Sequence, residues 1–158
     1  MTNSALDVSD RRLIDAVQRA GRSSLTELAS EIHLGVSATR SRLHALEQRG
    51  AITGYTARVD PAACGFTLRA VVRMKVHGAL YDKVADALAR HPQIVRCLRV
   101  TGEACYIAEI VALDMADLET ITSDLARVGS ITTDLVYEVV ADRPIPSLHS
   151  VRPERAPG

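Results

Sequence analysis

The sequence predicts an α+β protein in two parts: a head of three short helices, and a βαββαβ domain of ferredoxin-like topology, joined by a β-like linker. Three observations lead there. Apolar residues recur at helical spacing through the first third of the chain. After Gly50 that spacing loosens into an alternation. From Phe66 onward, strand-like and helix-like stretches take turns in the order strand, helix, strand, strand, helix, strand.

The first helix is expected over residues 9 to 20, "SDRRLIDAVQRA", where Leu13, Ile14, Val17 and Ala20 share a face and Gly21 follows as a stop. In the second, Ser24 with Glu27 three residues on fits a capping box, and Leu25, Leu28, Ala29 and Ile32 form the apolar stripe. His33-Leu34-Gly35 is a tight connection into a third helix that runs to Gly50. Two helices joined by such a turn, behind a supporting first helix, make a helix-turn-helix. "AITGYTARVD" then reads as β-like, and Pro61 with "AACG" as a hinge.

In the second half, "FTLRAVVRMKVH" is a strand, and "LYDKVADALARH" a helix with Leu80, Val84, Ala87 and Leu88 on one face. "IVRCLRVT" and "ACYIAEIVAL" are strands about a hairpin, "DMADLETITSDLARVG" a second amphipathic helix, and "SITTDLVYEVVA" the closing strand. An internal echo supports two βαβ halves: "LARHPQI" at 88–94 and "LARVGSI" at 125–131 both sit where a helix feeds a strand. The domains expected are 1–51 for the helical head, 52–65 for the linker, 66–142 for the sheet domain, and 143–158 for an extended or disordered tail rich in proline.

Composition narrows the class. Hydrophobic residues make up 47% of 158 but aromatic ones only 3%, so the core is built from Leu, Val, Ile and Ala. Domains of roughly 60–80 residues bury a modest fraction of their surface and gain from pairing with another copy. Cys64, Cys97 and Cys105 are an odd set without CxxC spacing, which points to a reducing cytosol rather than a disulfide or zinc framework. No apolar run approaches the roughly 18 residues needed to span a bilayer. The N-terminal stretch lacks the blocks of a secretion signal, so a cytoplasmic protein without a membrane partner is expected. Basic and acidic residues balance at 19 each, which argues against indiscriminate polyanion binding while allowing a local basic surface.

That local surface is the third helix. With Thr39, Leu43 and Leu46 facing the core, Ser37, Arg40, Ser41 and His44 lie opposite, and Ala38, Arg42 and Ala45 along a shoulder. From 37 to 58, four arginines against Glu47 leave a local charge of +3. Small residues near the helix start permit close approach to a major groove, and Ser and Arg reach base edges and phosphates. The candidate DNA-binding residues are therefore Ser37, Arg40, Ser41, Arg42 and His44, with double-stranded DNA as the partner. An ordinary solvated helix face stays open at this point.

Three stretches, "LDVSDRRLIDAVQRAGR", "LEQRGAITGYTARVDP" and "VTGEACY", give the chain from about residue 6 to 142 its resemblance to the Lrp/AsnC (feast/famine) family of transcriptional regulators. The resemblance implies a winged helix-turn-helix, a strand linker and a ferredoxin-like effector (RAM) domain. It also implies a DNA-binding homodimer that assembles further, as far as an octamer, and an amino-acid effector held between effector domains. The chain departs from the family at His33, where Gly is common in the turn, and at Gly35, where Ser commonly caps the third helix.

A two-residue loop at Gly102-Glu103 is expected to set the hairpin register, pairing Val100 with Cys105, Leu98 with Ile107 and Arg96 with Glu109. In the family this hairpin carries a Gly-Asp-x-Asp-Tyr-like sequence beside the effector. The resemblance thus makes Thr101, Gly102, Glu103, Ala104, Cys105 and Tyr106 the candidate effector-binding residues. Glu103 would meet an ammonium group, and turn N–H groups a carboxylate. Cys105 stands where the second acid would be, and packing is its expected role. A plain turn used in subunit assembly is the other reading of this hairpin.

No Gly-rich phosphate loop, HExxH or GxSxG occurs, and the five histidines lack metal-ligand spacing. The expectation is a regulator that is not an enzyme, with no cofactor and no metal. Two alternatives remain: an effector-insensitive architectural DNA binder, and a metabolite-binding or enzymatic ferredoxin-like protein whose head docks a protein.

Overall fold

The computed structural model describes residues 6–146, which divide into two compact units. One contains 6–57 together with 141–146; the other is Arg58–Val140.

The first unit is built on α1 (Val8–Arg19), α2 (Leu25–Ile32) and α3 (Val36–Gln48). Each start has a local cause. The Asp7 carboxylate accepts the Asp10 N–H at 2.7 Å and caps α1. Ser24 and Glu27 form the expected capping box, with the Ser24 N–H donating to Glu27 at 2.6 Å and the Glu27 N–H to Ser24 Oγ at 3.2 Å. The three helices close over Leu13, Ala16, Leu28, Ile32 and Leu46, edged by Leu43, Leu34 and Ile52. Leu13 and Leu46 are fully buried, each worth about 1.5–3 kcal/mol of transfer free energy.

The turn between α2 and α3 takes the left-handed conformation at His33, φ 58° and ψ 45°. His33 is the one non-glycine residue with positive φ among those described. The backbone there still closes the helix end: the His33 N–H reaches the Ser30 carbonyl at 3.3 Å and the Leu34 N–H the Ala29 carbonyl at 3.0 Å. Gly35 then begins α3 without a side-chain cap.

Residues 51–60, expected to be β-like, join no ladder among the described residues. Alternation gives this segment the right side-chain pattern, but a strand also needs a backbone partner. The proline hinge is a 3-10 turn, Pro61–Cys64, started by Asp60, whose side chain accepts the Ala62 N–H at 3.0 Å.

The second unit comprises β1 (Leu68–Lys75), α4 (Tyr81–Ala89), β2 (Ile94–Arg99), β3 (Tyr106–Ala112), α5 (Met115–Ala126) and β4 (Ser130–Leu135). The strands lie in the order β2-β3-β1-β4, all antiparallel, which is the ferredoxin-like arrangement expected. The expected hairpin register holds: Arg96 faces Glu109 and Leu98 faces Ile107, with a slip between Ile94 and Arg96. The tight turn does not. The strands stop at Arg99 and Tyr106, and the Val100 N–H to Cys105 carbonyl bond at 2.9 Å closes a wider loop. The Cys105 N–H is drawn instead to the Met74 carbonyl of β1 at 2.8 Å. β4 also ends earlier than its apolar run, because β1 begins at Leu68 and leaves little strand to pair beyond the Val136 N–H to Arg69 bond.

Both helices pack on one sheet face. Val84, Ala87, Leu118, Ile121 and Leu125 meet Val72, Met74, Ala108 and Ile110 in a continuous core. Asp124 ties the helix ends together, accepting from Arg90 Nε at 2.9 Å and lying 3.0 Å from His91 Nε2. Gly129 leads into β4 where a Cβ would stand 2.6 Å from the Lys75 carbonyl oxygen. By strand alternation the other face presents Val71, Leu98 and Ile107, with ion pairs Arg73–Asp134 at 2.9 Å and Arg96–Glu109 at 3.8 Å.

Of the tail expected at 143–158, residues 147–158 lie outside the described residues. The earlier part returns to the helical unit: the Gln18 carboxamide donates to the Ile145 carbonyl at 2.9 Å and accepts the Ile145 N–H at 3.1 Å.

Candidate nucleic-acid interface and ligand hairpin

α3 exposes the face that its spacing assigns outward. Thr39 and Leu46 are fully buried, while Ser37, Arg40, Ser41 and His44 are all exposed. Thr39 is satisfied inside, its hydroxyl donating to the Gly35 carbonyl at 3.1 Å. Arg40 has no hydrogen bond or ion pair among the described residues. His44 Nδ1 stands 3.9 Å from Glu47, and both side chains are open to solvent.

Arg42 sits differently. Its Nη1 donates to Asp7 at 2.6 Å and to Asp10 at 2.8 Å, on the side of α3 that faces α1. Arg49 joins it, with Nη2 donating to the other Asp10 oxygen at 3.2 Å. Asp10 is only 7% exposed, so the two guanidinium groups supply its neutralisation where water does not. The Asp7 carboxyl is held below the usual aspartate range, first by the Asp10 backbone N–H and then by Arg42. Arg42 is pushed up in turn by its bonds to the two acids. The +3 counted along the sequence is therefore reduced in space.

Tyr55, just after the head helices, donates to Glu47 at 2.8 Å. Burial, reinforced by the Glu47 charge, pushes its hydroxyl up to about 12. The only acid of α3 is thus engaged by the segment that follows it.

In the second unit, Thr101, Gly102 and Glu103 are exposed at the loop, while Ala104, Cys105 and Tyr106 are half-buried. Gly102 has φ 121°, a value that favours glycine. The Glu103 carboxylate makes no ion pair among the described residues. Two residues that the sequence did not single out bear on this loop, Tyr81 from α4 and Arg99 at the end of β2. The Tyr81 hydroxyl at the start of α4 donates to Cys105 Sγ at 3.1 Å, and Arg99 lies 5.1 Å from the Tyr81 ring centre and 6.0 Å from that of Tyr106. The Tyr81 bond holds the Cys105 thiol below its ordinary range, and the same bond pushes Tyr81 up. Packing alone therefore does not describe Cys105. The loop has a carboxylate at its tip and a guanidinium stacked at its base, complementary in sign to the two ends of an amino acid.

Among the described residues no group of three or more His, Cys, Asp and Glu is placed to hold a metal, and no helix is long and apolar enough to cross a membrane.

Comparison with known proteins adds to this geometry. A family model described as the AsnC-type helix-turn-helix domain matches residues 6–47, and one described as the Lrp/AsnC ligand binding domain matches residues 69–146. The HTH-type transcriptional regulator LrpA of Mycobacterium tuberculosis is 33% identical over 132 residues, spanning 83% of this chain and 88% of the relative. The solved structure of Bacillus subtilis LrpC matches with a TM-score of 0.84 at 26% identity, covering 89% of this chain and all of that one. The crystal structure of the M. tuberculosis leucine response regulatory protein, LrpA, matches with a TM-score of 0.75 at 29% identity over 89% of this chain.

Proposed function

The chain belongs to the Lrp/AsnC family of DNA-binding transcriptional regulators, and from that premise we propose that α3 reads an operator while the 101–106 hairpin binds an amino acid. The family is regulatory rather than enzymatic, and its second domain is a ligand-binding effector domain.

The single observation that carries the DNA reading is the sidedness of α3: a fully buried Thr39 and Leu46 behind, and Ser37, Arg40, Ser41 and His44 open in front. Among the described residues Arg40 has no ion pair to release before it meets a base edge or phosphate. The start of α3 has no acidic residue in its first turn, so its dipole favours a phosphate there. Replacing Arg40 by Ala costs about 1–3 kcal/mol if it reads a base, or lowers the salt slope by about 0.9 if it meets phosphate. Fluorescence anisotropy on the protein's own upstream DNA measures both, and no change in either refutes the assignment.

The effector reading is supported by the opposite charges of Glu103 and Arg99 about one hairpin. Calorimetry against the twenty amino acids tests it, beginning with leucine because one relative is described as a leucine response regulatory protein. Heat with one amino acid, weakened in Glu103→Gln, is the expected result. No heat with any of them favours the effector-insensitive architectural reading instead.

The helix-free sheet face, with Val71, Leu98 and Ile107 among its ion pairs, supports a homodimer formed through that face, with assembly toward an octamer. A monomer at micromolar concentration in light scattering contradicts it.

A further inference from the structure

We infer that Asp7 and Asp10 determine how specifically the head binds DNA, by withholding Arg42 and Arg49 from the phosphate backbone. The inference rests on the DNA reading of α3 and concerns what that helix is prevented from doing.

Two acids and two arginines form a closed set. Asp7 accepts from Arg42 at 2.6 Å, and Asp10 from Arg42 at 2.8 Å and Arg49 at 3.2 Å, so their formal charges cancel. Asp10, whose side chain is 10% exposed, is too buried to give up both partners cheaply. Asp7 has a second task, since its other oxygen caps α1 through the Asp10 N–H. One carboxylate thus serves both the cap and the arginine clamp, one oxygen each.

The consequence lies in the ionic part of DNA affinity. Every cation that meets a phosphate releases counterions, and that contribution is blind to sequence. A head offering Arg40, Arg42 and Arg49 freely would hold any duplex. With Arg42 and Arg49 neutralised from behind, Arg40 is the arginine of α3 left without a partner among the described residues, and discrimination falls to Ser37, Ser41, His44 and the fit to the groove. Arg40 and Arg42 are two positions apart, about 200° around a helix, so one points outward and the other toward α1. Asp7 and Asp10 act through the arginines, which makes them positioning residues.

The test is a salt titration of full-length protein by fluorescence anisotropy on its own upstream DNA and on a scrambled duplex of the same composition. In Asp7→Asn/Asp10→Asn the two freed cations are expected to steepen the slope on scrambled DNA by about 1.8 per head. A fourfold drop in salt then strengthens that binding by roughly an extra tenfold, and the preference for the upstream DNA narrows. Arg42→Gln is expected to flatten the slope by about 0.9 only once the acids are gone. If the double variant fails to fold by circular dichroism, Asp7→Asn alone serves, because Asn caps a helix as well as Asp, and it is expected to give a smaller shift in the same direction. A folded acid variant with unchanged slope and preference overturns the inference, as does an Arg42→Gln that flattens the slope with both acids in place. An unmutated protein that retains neither duplex refutes the DNA reading itself.

Discussion

Gly129→Ala tests how tightly β4 is held against β1. The added Cβ would stand 2.6 Å from the Lys75 carbonyl oxygen, 3.2 Å from its carbon and 3.1 Å from a Val76 methyl. A comfortable carbon contact is about 3.5 Å or more, so the strand has to move by the better part of an ångström. It has little freedom to do so, because Ser130, the next residue, is paired with Lys75 itself. Such overpacking costs about 1–3 kcal/mol, and alanine returns about 0.4–1 kcal/mol by stiffening the unfolded chain. The net loss expected is about 1–2 kcal/mol. With m about 1–3 kcal/mol/M, the urea midpoint read by circular dichroism falls by roughly 0.5–1 M at fixed protein concentration. Gly21→Ala is the control: its Cβ meets nothing nearer than the Val17 carbonyl at 3.7 Å, an ordinary contact. A Gly129→Ala midpoint equal to or above that of the unmutated protein, with m unchanged, refutes the steric argument.

Ser24→Ala removes the acceptor for the Glu27 N–H and is expected to cost about 1 kcal/mol in the same urea experiment; an unchanged midpoint removes the capping box as a source of stability. His33→Gly relieves a left-handed residue worth about 1–2 kcal/mol against about 0.5–1 kcal/mol of added backbone entropy, so stability rises by up to about 1.5 kcal/mol. A lower midpoint would count against strain in that turn. Asp124 is held below its ordinary range by Arg90 first and His91 second. A depressed carboxylate contributes stability fully above its unfolded value of about 3.9 and loses it as pH falls through the folded value, so acid unfolding should sharpen below about pH 4. Asp124→Asn is expected to be less stable at neutral pH and to show a shallower acid limb; an acid profile parallel to that of the unmutated protein would contradict this.

Local chemistry was legible in the sequence, and long-range chemistry was not. Ser24 and Glu27 announce their capping box because the two partners are three residues apart. The buried edge of α3 at Thr39 and Leu46 follows from helical spacing, and the Arg96–Glu109 pairing from the arithmetic of a hairpin. The partners of Arg42 do not follow from any such period. Asp7 and Asp10 are 35 and 32 residues away, and only the packing of α1 against α3 brings them together. The same holds for Tyr81 and Cys105, 24 residues apart, whose bond gives the hairpin a side chain from α4. Residues 51–60 show the opposite failure: the alternation is present, but no described strand offers itself as a neighbour.

The return of Ile145 to Gln18 also sets an order of assembly. Closing a loop of 127 residues in an unfolded chain costs about 4 kcal/mol in the logarithmic chain-length part alone. Two solvent-exposed hydrogen bonds return only about 1 kcal/mol each. They do not close that loop by themselves; the sheet unit has to form first and draw the ends of its own segment together. The strap is thus the last contact made and the first lost, and amide exchange at Ile145 should be fast while the strands of the sheet remain protected.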